Sequence, residues 1–296
     1  MAQSLDASLL PHNDPALFRE SITHTAGTTG FREELIEKDY FCSLILLFVS
    51  ENCLNPPLFR GGTCLSKVYT DFYRLSEDLN FTISTPATAR RSVRRRNAAP
   101  MKDTIGLITK HMPVFEISKP WAGFNNSTQY SAEMVYISRV TGQRSTVKIE
   151  VGLREEVVHT PDNRTAQTLL VNPLSGELLI RPFSLPCLSR IETYAEKTRA
   201  ALTRRQPAIR DFFDLHYAAS KGIVDVGDRQ FIECVRQKLV NDAGAHIDMS
   251  TDRKTELARQ LETELKPVLR VSDYEGFNFD SAFAIAEDLA RAIQPL

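Results

Sequence analysis

Phe59-Arg60-Gly61-Gly62-Thr63-Cys64-Leu65-Ser66-Lys67 and, shortly after it, Arg74-Leu75-Ser76-Glu77-Asp78-Leu79-Asn80-Phe81-Thr82-Ile83 are the two stretches that decide how this chain is read. The glycine pair predicts a tight strand-to-helix turn, with Leu65, Val68, Tyr69 and Phe72 on the helix that follows. In the second stretch Leu79, Phe81 and Ile83 alternate with Asp78, Asn80 and Thr82, the pattern of a half-buried strand with one open polar face. Glycines let backbone N–H groups approach a phosphate, and a helix N-terminus favours negative charge there. Ser66 would donate to a phosphate oxygen and Lys67 would add positive charge. Asp78 would then hold Mg²⁺ against that phosphate. A purely structural Gly-Gly turn beside a surface aspartate has the same spacing, so both readings stand at this point. The GxxxxGK[ST] pattern of a Walker A loop is absent.

Before this core, Leu35, Ile36, Tyr40, Leu44, Leu47 and Phe48 recur at three- and four-residue steps and predict a helix with one apolar stripe, ended by Asn55-Pro56-Pro57. Residues 1–30 are polar, broken by Pro11 and Pro15, and read as an N-terminal arm with one short helix. After the core, residues 86–112 read as a basic helical insertion. Tyr130–Val140 and Arg144–Leu153 form a hairpin around Thr141-Gly142. In its second arm Val147, Ile149, Val151 and Leu153 alternate with polar residues that include Glu150, a candidate second metal ligand or base.

Past Pro186 the pattern is helical throughout, over Ile191–Leu202, Ile209–Ser220, Arg229–Val240, Thr255–Leu269 and Ser281–Ile293. A mixed front half and a helical back half predict an α+β chain with an arm over 1–30, a sheet-containing domain over 31–180 and a helical domain over 181–296.

Other constellations are open to two readings. Lys197 and Arg204 share a helix face and would neutralise a triphosphate; Asp211 and Asp214 share the face of the next helix. A salt-bridged helix pair explains all four equally. Arg90, Arg91, Arg94, Arg95 and Arg96 suit phosphate contacts to RNA, or a solvated helix face. No aromatic is interleaved with them, so base stacking is not expected there. Trp121 and Phe124-Asn125-Asn126 read as a loop without chemistry. The six histidines form no HxH or HExxH pattern, so no zinc site is expected.

The 296 residues carry 36 basic and 37 acidic side chains, a net charge of −1 that excludes a globally basic nucleic-acid coat but not a local basic patch. Five scattered cysteines with no CxxC pair predict neither a zinc knuckle nor a disulfide framework and suit a reducing cytoplasm. The N-terminus lacks a basic segment followed by an apolar one, so no signal peptide is expected. The longest apolar run, near Leu44–Val49, falls far short of a bilayer span.

These pieces in this order resemble the AbiEii/AbiGii nucleotidyltransferase toxins of type IV toxin–antitoxin and abortive-infection systems. Ile36-Glu37-Lys38-Asp39-Tyr40 resembles that family's opening segment, and Phe59–Lys67 its glycine-rich motif. Arg74–Phe81 resembles its acidic strand. Glu196-Lys197 through Arg210-Asp211-Phe212-Phe213-Asp214-Leu215 resembles its lysine and arginine-aspartate motifs. The resemblance implies a nucleotidyltransferase-like small mixed sheet with flanking helices, an NTP substrate, Mg²⁺, and tRNA as acceptor in some relatives. It also implies a cognate antitoxin encoded nearby. By carry-over Gly61, Gly62 and Ser66, with Thr63 and Lys67 beside them, would hold phosphates and Asp78 the metal. Lys197 would bind the triphosphate and Asp211 complete the site, while Ser76 occupies a position tied to control of the toxin in some relatives. One departure is plain: Asn80 stands where the family usually has a second aspartate, and its neutral amide offers an oxygen without charge. The metal set is then Asp78, Asn80 and Glu150.

The resulting expectation is in-line transfer of a nucleotidyl group from an NTP to an acceptor hydroxyl, most simply a tRNA 3′ end. A protein acceptor is one alternative. A nucleotide-binding module without turnover, motivated by Asn80, is a second, and a structural helical scaffold in which the motifs are fortuitous is a third.

Overall fold

The computed structural model describes residues 10–240 and 246–293; of the expected N-terminal arm, residues 1–9 lie outside the described residues. The chain divides into two compact units, Met1–Val157 with Pro161–Leu188, and Val158–Thr160 with Ser189–Leu296.

The first unit opens with a 3₁₀ turn, Pro11–Asn13, and helices α1 (Pro15–Thr29) and α2 (Glu33–Asn52). Asp14 caps α1, its carboxylate accepting from the N–H groups of Ala16 and Leu17, and Gly30 ends it in the left-handed conformation. What reads from sequence as an arm is a 15-residue helix whose Phe18 and Ile22 are fully buried with Tyr40 and Phe41 of α2. Helix α2 departs from the single apolar stripe: every residue from Leu35 to Val49 except Lys38 is buried. A helix enclosed on all sides needs its polar groups satisfied internally. Glu37 accepts from the Ser138 hydroxyl and the Arg139 N–H, and burial holds its carboxyl above the usual range.

The buried His12 places Nδ1 2.8 Å from the Tyr40 hydroxyl, and burial, then Arg139, push its pKa down to about 4. A base that is harder to protonate folded than unfolded contributes stability above pH 6.5 that is lost as the pH falls toward 4. We expect this term to reach at most about 3 kcal/mol. Chemical unfolding measured between pH 7.5 and 4 should show His12→Gln losing less stability than the wild type; parallel curves would exclude it.

The strands are β1 (Leu58–Arg60), β2 (Leu79–Thr82), β3 (Glu116–Phe124), β4 (Gln129–Ile137), β5 (Arg144–Gly152), β6 (Asp162–Ala166) and β7 (Phe183–Cys187). They form one seven-stranded mixed sheet in the order β3-β4-β5-β2-β1-β7-β6. β2 is antiparallel to β1 and parallel to β5, and β1 is parallel to β7. Between β1 and β2 the chain forms the short helix α3 (Gly61–Cys64) and a π-helical turn over Leu65–Tyr69. The helix expected to reach Phe72 stops at that turn. The chain must reverse to lay β2 against β1, and it does so through left-handed Asp71 and Phe72, at φ of 46° and 56°. Helix α4 (Arg91–His111) follows β2, as the basic insertion predicts. Trp121 lies in β3 rather than in a loop, and Asn125 and Asn126 make the left-handed turn into β4. The sequence reading does not include β6 or β7, whose short polar and proline-containing stretches carry little period-two signal.

The second unit is helical: α5 (Arg190–Thr203), α6 (Ile209–Ser220), α7 (Arg229–Val240), α8 (Thr251–Gln260), α9 (Val271–Glu275) and α10 (Phe279–Ile293). Buried Lys238 of α7 pairs with Glu192 of α5 at 2.6 Å, and Arg253 donates to the Ala201 and Arg204 carbonyls at the end of α5. Among the described residues no helix is long and apolar enough to cross a membrane.

Candidate active site

Strand register builds the site. Arg60 of β1 lies opposite Asn80 of β2, Asn80 opposite Glu150 of β5, and Glu150 opposite Ser131 of β4. Directly paired residues point to one face, so these four side chains form a polar row across four strands. Asp78 precedes Asn80 by one strand period and Lys148 precedes Glu150 by one, adding a second step to the same face. The opposite face carries Phe59, Phe81, Val151 and Tyr130, all buried.

The glycine-rich turn is fastened to this row. Gly61 sits at φ +79°, where a side chain would be strained, and a Cβ there would stand 3.2 Å from the Asn80 Cβ. A Cβ on Gly62 would meet the Arg74 guanidinium at 2.6 Å and the Ser76 hydroxyl oxygen at 3.0 Å. The Thr63 hydroxyl donates to the Asp78 carbonyl at 2.5 Å. Gly61 and Gly62 thus lie within contact of Ser76 and Asn80 because no side chain intervenes.

The candidate residues then separate into open and closed groups. Asp78 is exposed, and neither its carboxylate nor the side chains of Asn80 and Ser76 make a hydrogen bond to a described residue. The Asp78 carboxyl is held above the usual carboxylate range, first by the protein mass against it. Glu77 and Glu150 push the same way, and Lys38 and Lys148 oppose them. Glu150 is engaged: its Oε1 takes an ion pair from Lys148 at 2.9 Å and a hydrogen bond from Gln129 at 3.1 Å. Ser66 and Lys67 are buried. The Ser66 hydroxyl donates to the Arg74 carbonyl at 2.6 Å, and the Lys67 ammonium meets Asp39 Oδ1 at 2.5 Å and Ser43 Oγ at 2.7 Å. In place they brace the turn from behind.

In the helical unit Lys197 lies between Asp211 at 2.7 Å and Asp214 at 2.9 Å, and Arg204 meets the second Asp211 oxygen at 3.1 Å. This is the salt-bridged helix pair, with the lysine charge shared by two carboxylates. The five arginines do not act as one patch. Arg94 is buried and donates to the Ala87 carbonyl, Arg96 faces one cavity, Arg91 and Arg95 face another, and Arg90 is exposed at the start of α4.

Sequence reasoning assigned no role to Lys38, the one residue of its stretch of α2 left unburied. It pairs with Glu77 at 3.1 Å beside Asp78. It also passed over Lys148, whose alternation with Ile149 was legible but whose cross-strand neighbours were not.

Among the described residues no three acidic, histidine or cysteine side chains gather as a metal cage. Mg²⁺ commonly takes one or two carboxylates and completes its shell with phosphate oxygens and water. The all-oxygen set of open Asp78, the Asn80 amide and nearby Glu150 suits that mode.

A family model described as "Nucleotidyl transferase AbiEii toxin, Type IV TA system" matches residues 48–286. No curated protein matches the chain. Two solved Helicobacter pylori structures are similar in fold. One, described as a candidate nucleotidyltransferase, has a TM-score of 0.50 at 11% identity, covering 87% of this chain and 95% of that one. The other, JHP933, has a TM-score of 0.49 at 12% identity, covering 87% and 92%.

Proposed function

The chain belongs to the AbiEii nucleotidyltransferase toxins of type IV toxin–antitoxin systems, and on that premise we propose that it transfers a nucleotidyl group from an NTP to a hydroxyl of RNA, with a tRNA 3′ end as acceptor. The observation that carries this reading is the open trio Ser76, Asp78 and Asn80, of which Ser76 and Asn80 lie against Gly61-Gly62 and Asp78 accepts at its carbonyl from Thr63 of the same turn. The acceptor oxygen attacks the α-phosphorus in line. The new O–P bond forms as the bond to the β-phosphate oxygen breaks and pyrophosphate leaves. Glu150 is assigned the base that takes the hydroxyl proton.

The bare Gly61 and Gly62 let phosphate approach the backbone, and Ser76 offers a hydroxyl to it. Asp78, Asn80 and Glu150 are the residues that would hold Mg²⁺, which when bound neutralises charge on the phosphates. Lys148 is held above the usual ammonium range, first by its hydrogen bond to Glu150, and keeps a full positive charge beside Asp78. Membership of a type IV family carries an antitoxin as partner.

The test incubates the protein with bulk tRNA, Mg²⁺ and each α-³²P-labelled NTP in turn. Label on RNA that requires Asp78 supports the reading. Label on protein moves the acceptor to protein. NTP binding without pyrophosphate release supports the module without turnover, which the neutral Asn80 favours. Asn80→Asp distinguishes that case: a second carboxylate strengthens cation binding, so the Mg²⁺ concentration for half-maximal binding or activity should fall several-fold. An unchanged value would remove Asn80 from the metal set.

A further inference from the structure

A groove of about 470 Å³ runs between α4 and the β3–β4 edge of the sheet, on the side away from the polar row. Arg91, Arg95 and Lys102 line it from one face of α4, all exposed. Arg95 and Lys102 make no ion pair with a described residue, and Arg91 only reaches the Ser127 hydroxyl at 3.4 Å. Among the described residues of the lining Asp103 is the one acid against three cations, so this lining carries a net positive charge. Its other wall is aromatic. Trp121 stacks on Tyr130 with ring centroids 5.2 Å apart and planes 13° apart. The Tyr130 ring lies so close over Gly123 that a Cβ there would stand 2.7 Å from it.

We propose that this groove docks a single-stranded segment of the RNA acceptor, with a base stacked at Trp121 and phosphates on Arg91, Arg95 and Lys102. The combination is what single-stranded nucleic acid requires: cations that follow the backbone beside an aromatic surface that accepts any base. The volume is that of a small-ligand pocket, enough for a nucleotide unit rather than a duplex. An acidic peptide would use the cations but leave the stacked pair without a role. On β4, Tyr130 faces the groove and the next residue, Ser131, faces the polar row opposite Glu150. RNA held in the groove is therefore anchored around the sheet edge from the proposed centre of transfer. This assignment rests on RNA as the acceptor class.

Trp121 is the sole tryptophan of the chain, so its fluorescence reports the groove alone. The Asp78→Asn full-length protein, which separates binding from chemistry, is titrated with single-stranded oligoadenylate RNA. We expect quenching, weakened about tenfold or more in anisotropy measurements with Trp121→Leu. The Arg95→Ala/Lys102→Ala variant, two surface changes that leave the fold intact, should cut the log–log salt slope by about 1.4. The groove assignment is overturned by absence of quenching, by quenching with NTP or an acidic peptide but not RNA, or by unaltered affinity and slope in the surface variant. Binding that behaves as expected while no nucleotide reaches RNA would leave the groove standing and overturn the proposed transfer instead.

Discussion

Asp78→Asn is expected to reduce nucleotidyl transfer by about a thousandfold while raising the thermal midpoint at neutral pH. The first half follows from what the residue offers. It is the open carboxylate of the polar row, next to the glycine turn, and no described residue neutralises it by direct contact. Asp78 is the carboxylate that would hold Mg²⁺ against the reacting phosphate, and losing one preorganised electrostatic contact at a reacting centre typically costs two to three orders of magnitude. The second half follows from the raised carboxyl. A carboxylic acid that holds its proton more tightly folded than unfolded loses stability as the pH rises through and above the usual carboxylate range, so ionised Asp78 opposes folding at pH 7. Asparagine removes that charge and keeps the shape. The gain should vanish near pH 3, where both states carry the neutral acid. Initial rates and thermal scans at pH 7 and pH 3 check this. Retained activity would remove Asp78 from the centre, and a lowered midpoint at pH 7 would mean the carboxylate supports the fold rather than being held for function.

Lys67→Met is expected to be among the most destabilising single changes in the first unit, and to act through the fold. The ammonium has no solvent exposure, and Asp39 is nearly as buried, with its second oxygen accepting from the Leu169 N–H at 3.1 Å. Removing the lysine strands a buried carboxylate, which costs about 3–5 kcal/mol. For a protein of this size that lowers the midpoint by about 10 °C. The pair Lys67→Met/Asp39→Leu should recover most of the loss, because replacing both partners with apolar groups leaves no uncompensated charge. If Lys67 instead served a phosphate, the double variant would recover stability but lose nucleotide affinity. We expect it to keep that affinity, as measured by titration calorimetry with a non-hydrolysable NTP.

The contrast between these two residues shows how far the sequence reaches. A strand alternation marks Asp78 as a metal ligand, and a glycine-rich motif marks Lys67 as a phosphate partner. The alternation is a local property. With period two, Asp78 and Asn80 must share a face opposite Leu79 and Phe81, whatever packs against them. The position of Lys67 is not local. Whether its ammonium meets a phosphate or Asp39 depends on α2, which is distant in sequence and whose enclosure on all sides no single apolar stripe announced.

The arginine cluster makes the same point. Five arginines in seven residues read as one patch, but a helix turns each to a different side, so burial of one and separation of the rest follow only once α4 is laid on the sheet. No aromatic is interleaved with these arginines in sequence, because Trp121 and Tyr130 lie outside that stretch. The β3–β4 pairing is what stacks them and sets them against the helix.

By itself, then, the sequence determined the glycine turn, the polar and apolar faces of β2 and β5, the β4–β5 hairpin and the helical character of the second unit, all set by short-range periodicity and by glycine's lack of a side chain. Tertiary structure alone decided which charges are open and which are closed. An ammonium or hydroxyl takes the nearest partner that burial allows, and that partner comes from whichever distant segment the sheet order and helix packing bring to it.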